Sequence, residues 1–452
     1  MVLTTTKYPM NNTKKDYKKA PVSRAHLGMF LALILGQIAC GYALGISGTG
    51  LAQAQTYIHL NNLWVGLIGA GSLIGLAGSA LMGKTADRFG RKGMLMVNMY
   101  LFSLLSILQL FTTTPWILLV IRILIGLMIA IDYTVGNAWL VEWLPEKVSG
   151  RFQSQLIIYW TVGFIGSYIA GILITGFGSH NWQVILASSA VPGLITAIYR
   201  SIYRLPASPS WTATHVDNHQ AQQVIQENLG KKWGLSHKLI KSKAPAQISW
   251  TVLFTKEYRR QTLVGGLFYA CQAFAFFGIS IFLPILLASM QLGNGNLSGI
   301  IYNVCVLIGV LLGSVAFKRL SRRTMLIATF ALPVLALAAM ILGSRLAAGI
   351  QITIFSFFAV TLSAGLVLDY PYPTELFDIK VRATGVGTCI TISRFGAASG
   401  TFLLPVLTNI GGAPLAMIVC IAVLAIGALI CLFWAPETSP RYRNQRQGQL
   451  TE

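Results

Sequence analysis

Residues 116–143 read WILLVIRILIGLMIAIDYTVGNAWLVEW, and only Arg122, Asp132 and Glu142 among them ionise. As a helix rising 1.5 Å per residue, this stretch runs about 42 Å, more than the ~30 Å of hydrocarbon in a bilayer. It reads as a membrane span. Five more stretches of this kind lie near 28–49, 63–82, 93–112, 152–176 and 183–203, and six near 261–288, 297–317, 324–343, 350–371, 384–408 and 413–434. Counted in chain order they are spans 1–12, with 116–143 the fourth. Composition agrees. Of 452 residues, 54% are hydrophobic and 10% charged, against roughly 25% charged in a soluble domain, and the mean hydropathy is +0.65. The expected fold class is all-α integral membrane.

The net charge of +21 would point to nucleic acid in a soluble protein, but its placement sets that partner aside. Twelve spans leave both tails on one side. On that side lie Lys7, Lys14, Lys15, Lys18, Lys19 and Arg24 of the N-terminal tail, and Lys84, Arg88, Arg91 and Lys92 of the loop after span 2. A basic share running from Arg200 through Arg260 joins them, while Arg345 is almost alone on the other face. The positive-inside rule makes both termini cytoplasmic, in a multi-pass protein of the cell (inner) membrane. No cleavable signal pattern precedes span 1. The six cysteines sit in apolar segments without CxxC spacing, so neither disulfides nor a metal site is expected. His215 and His219 are four apart but lack a third ligand. No nucleophile–base constellation stands out, so no enzyme and no cofactor is expected.

The longest polar interval, 205–260, divides the spans six and six. The expected segments are a basic tail (1–27), a six-helix bundle (28–204), a middle loop (205–260), a second bundle (261–434) and a tail (435–452). A weak internal repeat supports two related halves. Gly83-Lys-Thr-Ala-Asp87-Arg88-Phe-Gly90-Arg91-Lys92 follows span 2, and Gly313-Ser-Val-Ala316-Phe-Lys318-Arg319-Leu-Ser-Arg322-Arg323 follows span 8. Asp132-Tyr133, then Glu142 and Arg151, in and after span 4 are echoed by Asp369-Tyr370, then Glu375 and Arg382, around span 10. Parallel six-helix repeats with a site near the midplane between them are a transporter architecture.

The 83–92 loop resembles the signature loop of the major facilitator superfamily, and Arg122-Ile-Leu-Ile-Gly126 is similar to its span 4 signature. The stretches from Arg122 to Arg151, YPTELFDIKVRATGVG, SRFGA, LPASPSW and WAPETSP resemble the metabolite–proton symporter branch, related to sugar porters and organic-ion transporters. This resemblance implies two six-helix bundles related by pseudo-two-fold symmetry, alternating access, and action as a monomer on a small solute, with protons and the lipid bilayer as the other partners.

Ionisable groups inside the bilayer cost roughly 2.5–3.5 kcal/mol each on insertion scales, so each asks for a reason. Asp132 lies about 24 Å along span 4, near mid-membrane. It reads as a proton site, a substrate contact or a fixed ion-pair partner. Arg394 lies about 15 Å into span 11, as an anion contact or an inter-helix clamp; the resemblance favours the arginine form seen in anion carriers. Arg122 and Tyr133 share a face of span 4, and the resemblance implicates Arg122 in proton coupling or packing. Gln37, Tyr42, Trp160, Tyr269, Gln272, Phe276, Tyr302 and Asn303 are candidate cavity residues. Gln272 and Asn303 stand out among them because buried amides need partners.

Gly83, Asp87, Arg88, Gly90, Arg91, Glu142, Arg151, Glu375 and Arg382 cluster at the inner span ends, and pairs among the charges there would form a gate. In span 1 the branch often carries an acid just before Gly-Tyr, where Cys40 stands here. The expectation is therefore proton-coupled uptake of a small anionic or polar metabolite through Asp132 and Arg394. Uniport, efflux and a non-transporting solute sensor are the alternatives.

Overall fold

A computed structural model describes residues 14–235, 250–289, 295–343, 346–378 and 381–439. Lys7 and Arg345 lie outside these residues, as does the side chain of Asp87. Among the described residues, eleven helical stretches are long and apolar enough to cross a membrane. Spans 1–6 are Arg24–Tyr57, Asn62–Ala86, Arg91–Phe111, Pro115–Trp143, Glu146–Leu173 and Gly178–Tyr203. Spans 7–10 are Arg259–Ile281, Asn296–Arg319, Arg322–Leu342 and Ala348–Leu376. The last stretch, Arg382–Trp434, is two helices joined at a kink. Gly411 leaves helical geometry there, and Gly412 takes φ 68°, ψ −173°, left-handed backbone that glycine tolerates without a Cβ clash. Spans 11 and 12 lie on either side of the kink, giving twelve passes.

The start signals are local. Pro115 opens span 4 in its first turn, where a missing N–H costs nothing. The Asn61 and Ser321 side chains accept from the backbone N–H groups of Trp64 and Thr324, capping spans 2 and 9. Large apolar side chains such as Phe111, Ile202 and Leu342 stand exposed on the perimeter, as a lipid-facing belt requires.

The two halves repeat one packing scheme. Span 1 lies on span 5, span 2 on span 4 and span 3 on span 6; span 7 likewise lies on span 11, span 8 on span 10 and span 9 on span 12. The close approaches match as well. A Cβ on Gly41 would strike the Trp160 carbonyl oxygen across the 1–5 seam, and one on Gly396 the Ala270 carbonyl oxygen across the 7–11 seam. Small residues there let backbones touch where no hydrophobic effect drives helices together.

The segment expected as a loop after span 6 has structure of its own. It forms helices Pro209–His215 and Asn218–Leu229, and Trp233–Gly234 pairs in parallel with Lys15–Asp16 of the N-terminal tail. Tyr17, Ala20, Ala221, Ile225 and Trp233 bury a small apolar cluster between them. The Lys18 ammonium donates to the Val141 carbonyl at 2.6 Å, at a helix C-terminus where a cation complements the unpaired carbonyls. His215 stacks on Trp211 with ring centroids 5.0 Å apart.

Candidate functional site

Between the halves lies a cavity of about 890 Å³, within the range of sites that enclose small organic ligands. Its deep part is walled by Gln37 of span 1, Tyr133 of span 4, Trp160 of span 5, Tyr269 and Phe276 of span 7, Asp369 and Tyr370 of span 10, and Arg394 of span 11. Its mouth is lined by Arg91, Glu142, Arg151, Lys318, Glu375 and Arg382, at the end carrying the basic loops. The opposite end is packed shut. There a Cβ on Gly48 would enter the Ile281 carbonyl, one on Gly66 would meet the Phe402 carbonyl oxygen at 2.5 Å, and one on Gly69 the Phe282 ring at 2.6 Å.

Arg394 is the cation of the deep part. It is 3% exposed, donates to the Tyr269 hydroxyl at 3.3 Å, and lies 5.6 Å and 5.7 Å from the Tyr133 and Tyr269 ring centres. At that range the ring faces attract a cation. Its Nε is buried with no hydrogen-bond partner. The Trp160 indole N–H and an amide nitrogen of Gln37 are likewise buried and unpartnered. Buried donors are nearly always satisfied, so three idle donors around one cavity form a set ready for an acceptor from outside. Asp369 joins them, 4% exposed, with Oδ1 unpartnered. It follows a tight 3-10 turn, Gly365–Leu368, and precedes Pro371, the first residue of a new helix. Span 10 is therefore broken where it meets the cavity.

Asp132 does not reach the cavity. It is wholly buried, and Arg200 Nη2 donates to its Oδ1 at 2.6 Å. Asn98 donates to its Oδ2 at 3.2 Å, and Arg200 further engages the carbonyls of Ala32 and Leu95 and the Asn98 side-chain oxygen. Spans 1, 3, 4 and 6 meet in this one network. Gly36 makes room for it, since a Cβ there would sit 2.8 Å from Asp132 Oδ1. Of the three sequence readings, fixed ion pairing is the one this geometry displays, and Asp132 is not among the residues lining the cavity. Arg200, counted in the sequence among loop charges, belongs to span 6. An arginine inside the apolar run 183–203 was the available signal. The helix turns π-helical over Asp132–Gly136, and that widened turn lies where span 4 carries both Asp132 and the cavity residue Tyr133.

Other expected site residues are placed outside the cavity. Arg122 packs on span 1, donating to the Ala43 carbonyl at 3.2 Å and to the Ser47 hydroxyl. Gln272 and Asn303 are buried outside the cavity, with Asn303 donating to the Gly299 carbonyl at 2.9 Å. Tyr42 and Tyr302 bond to Ser188 and Ser280 away from it. Gln37, Tyr133, Trp160, Tyr269, Phe276 and Arg394 are brought together as expected.

At the mouth, the expected gate charges pair within each half rather than across it. Glu142 takes Arg91 as partner, not Arg151; Glu375 takes Arg322, not Arg382, through two bonds of 3.2 Å. Arg382 instead donates to the Phe377 carbonyl. Each carboxylate also accepts from a hydroxyl of the segment after its half's last span, Ser208 for Glu142 and Thr438 for Glu375. One turn earlier, the Trp139 indole donates to the Pro206 carbonyl at 2.9 Å, and the Tyr372 hydroxyl to the Pro436 carbonyl at 3.2 Å. One clasp is thus built twice. Gly83, Arg88 and Gly90 do not line the cavity; a Cβ on Gly90 would meet the Trp211 ring.

Comparison with known proteins agrees with this geometry. The chain is 30% identical over 439 residues, 95% of each chain, to the inner membrane metabolite transport protein YgcS of Escherichia coli K12. It is 26% identical over 381 residues, 82% of this chain and 85% of the relative, to the putative niacin/nicotinamide transporter NiaP of Bacillus subtilis. A partially occluded inward-open structure of the Escherichia coli xylose transporter XylE superposes with a TM-score of 0.75 at 17% identity, covering 92% of this chain and 99% of that one. The family model for sugar (and other) transporters matches residues 4–445. The chain therefore belongs to the sugar (and other) transporter family of the major facilitator superfamily, multi-pass membrane transporters of sugars and other metabolites, and is not an enzyme.

Proposed function

We propose that the protein is a secondary active transporter importing a small organic anion with protons by alternating access, and that Arg394 receives the anionic group. The observation carrying this reading is the buried Arg394 guanidinium, unpartnered at Nε and flanked by two tyrosine rings in the cavity between the halves. A guanidinium forks onto a carboxylate, and the aromatic walls suit a flat or apolar body better than a ring of hydroxyls. Nicotinate is an acid of that kind, and the 26% identical relative is named for niacin and nicotinamide. The basic face is the cytoplasmic one by the positive-inside rule, so the cavity opens inward and the glycine-packed end is the closed outer gate. One chain holds a whole cavity, which suits a monomer of two bundles, 28–204 and 261–434, joined through 205–260.

The test is uptake into proteoliposomes of a pool of labelled lactate, benzoate and nicotinate, with glucose and leucine in parallel, under an inward acid gradient. Accumulation of one of the acids, faster than in protein-free liposomes and collapsing with a protonophore, is expected. In Arg394→Gln, loss of a charge-assisted bond of about 1.5–3 kcal/mol should weaken binding roughly 10- to 100-fold. Uptake of glucose or leucine alone, or unchanged affinity in the variant, would contradict the reading. Equilibration without accumulation would make the protein a uniporter.

A further inference from the structure

Spans 4 and 10 each bear an Asp-Tyr pair, ten and six residues before the clasp glutamate of its half, and only one of these aspartates has its bonding complete. Asp369 lines the cavity, keeps Oδ1 without a partner, and stands within electrostatic reach of Arg394 without a direct bond or ion pair to it. The other titratable groups around it are the Tyr269 and Tyr370 hydroxyls, with Tyr133 and Cys40 beyond them about Arg394 and Tyr370. Among the described residues Arg394 is the one cation of the deep cavity and Asp369 its one carboxylate.

We propose that Asp369 carries the coupled proton, and that it exchanges its countercharge for a proton when substrate arrives. The inference rests on Arg394 being the anion site. In the empty cavity Asp369 and Arg394 sum to zero, which a low-dielectric site between two bundles favours. A substrate carboxylate bonding to Arg394 would leave the site at minus one. One proton from the water bound to Asp369, converting its carboxylate to a carboxylic acid, restores neutrality. On release the order reverses: the acid leaves Arg394, Asp369 gives its proton to the inner solution, and the neutral pair forms again. Both crossing states, empty and loaded, are then uncharged. One proton accompanies each monocarboxylate, and the membrane potential does no work on the cycle. Asp132 is unsuited to this task, since both its oxygens are bonded and it does not line this cavity. The 3-10 turn Gly365–Leu368 places Asp369 where the α-helical hydrogen-bond ladder of span 10 changes pattern.

Two measurements on the full-length chain test this. The first needs no substrate: infrared difference spectra of the reconstituted protein between acid and neutral pH. Loss of one component of the protonated-carboxyl band in Asp369→Asn, and its retention in Asp132→Asn, is expected. A band unchanged in Asp369→Asn would overturn the proposal. The second uses the pool of lactate, benzoate and nicotinate. With the inside one pH unit more alkaline, the wild type should reach the near-tenfold accumulation of one proton per anion faster than protein-free liposomes, which the neutral acids enter unaided, and at a rate unchanged when valinomycin and potassium clamp the potential. Asp369→Asn should bring the rate of accumulation down to that of protein-free liposomes while retaining counterflow of the same acid. Faster accumulation retained in that variant, or driven by potential, would refute it. If the wild type speeds none of the acids, the anion reading fails, while the infrared result still decides whether Asp369 titrates.

Discussion

Asp132 of span 4 and Asp369 of span 10, the corresponding spans of the two halves, have opposite surroundings. Around Asp132, Arg200 of span 6 and Asn98 of span 3 donate so that both oxygens are bonded, and Arg200 is held by two carbonyls and an amide oxygen besides. Around Asp369, one oxygen and the facing Arg394 Nε are left idle beside a cavity. A buried charge network that is complete holds helices together and gives a ligand nothing. An incomplete one is a poor clamp, and its idle groups are available to a solute. Charge burial alone did not separate these two cases; the count of satisfied atoms did.

The largest expected effect breaks the comparison at its rigid end. Asp132→Ala leaves Arg200 buried and uncompensated and should cost about 3–5 kcal/mol, seen as a large fall in the melting temperature of the detergent-purified protein. Asp369→Ala should cost clearly less, because Asp369 makes no direct bond to Arg394 and its Oδ1 is already idle. Equal losses for the two would erase the distinction.

A smaller effect probes the doubled clasp. Glu142→Gln and Glu375→Gln each weaken a partly exposed arginine pair, worth about 1 kcal/mol or less, and matching falls in stability are expected from the matching geometry. A fall in one half alone would show that the clasp is repeated in form but not in strength.

The smallest effect concerns Glu437, whose carboxylate accepts from the backbone N–H groups of Arg322 and Arg323 at 3.0 Å and caps span 9. Burial pushes its pKa up, but the three backbone N–H groups of Arg323, Ser439 and Arg322 outweigh it and hold the group below its usual 4.5. A lowered carboxylate pKa contributes stability that is present above the usual value and lost as pH falls through the folded one. The wild type should exceed Glu437→Gln by a few tenths to about 1 kcal/mol at pH 7, and the gap should close on acidification below pH 4.5. A gap constant with pH would mean that shape, not charge, makes the cap.

The spans and the two-half architecture were legible because membrane helices announce themselves by length and apolarity. Tyr133, Trp160, Tyr269 and Arg394 were legible because polar and aromatic residues in an apolar helix ask for a reason. Two things were hidden. Sequence places a charge along a helix but not around it, so Asp132 and Asp369 could not be told apart. Arg200 was lost by being one arginine among a basic run at a span end. The clasp was visible in principle, since Pro206-Ala-Ser208 and Pro436-Glu-Thr438 close spans 6 and 12 alike, but the partners of Glu142 and Glu375 depend on which span ends pack together. The folding of the middle segment onto the tail was not legible, because Lys15–Asp16 and Trp233–Gly234 are too short to carry a strand pattern.

The most direct test of the central claim is proton-driven accumulation, above the rate of protein-free liposomes, of the lactate, benzoate and nicotinate pool by three proteins in one liposome preparation: wild type, Arg394→Gln and Asp369→Asn. The expected result is accumulation of one acid in the wild type, loss of both accumulation and counterflow at low substrate in Arg394→Gln, and loss of accumulation alone in Asp369→Asn. Full accumulation by both variants would contradict the account and move the working site away from the Arg394–Asp369 cavity.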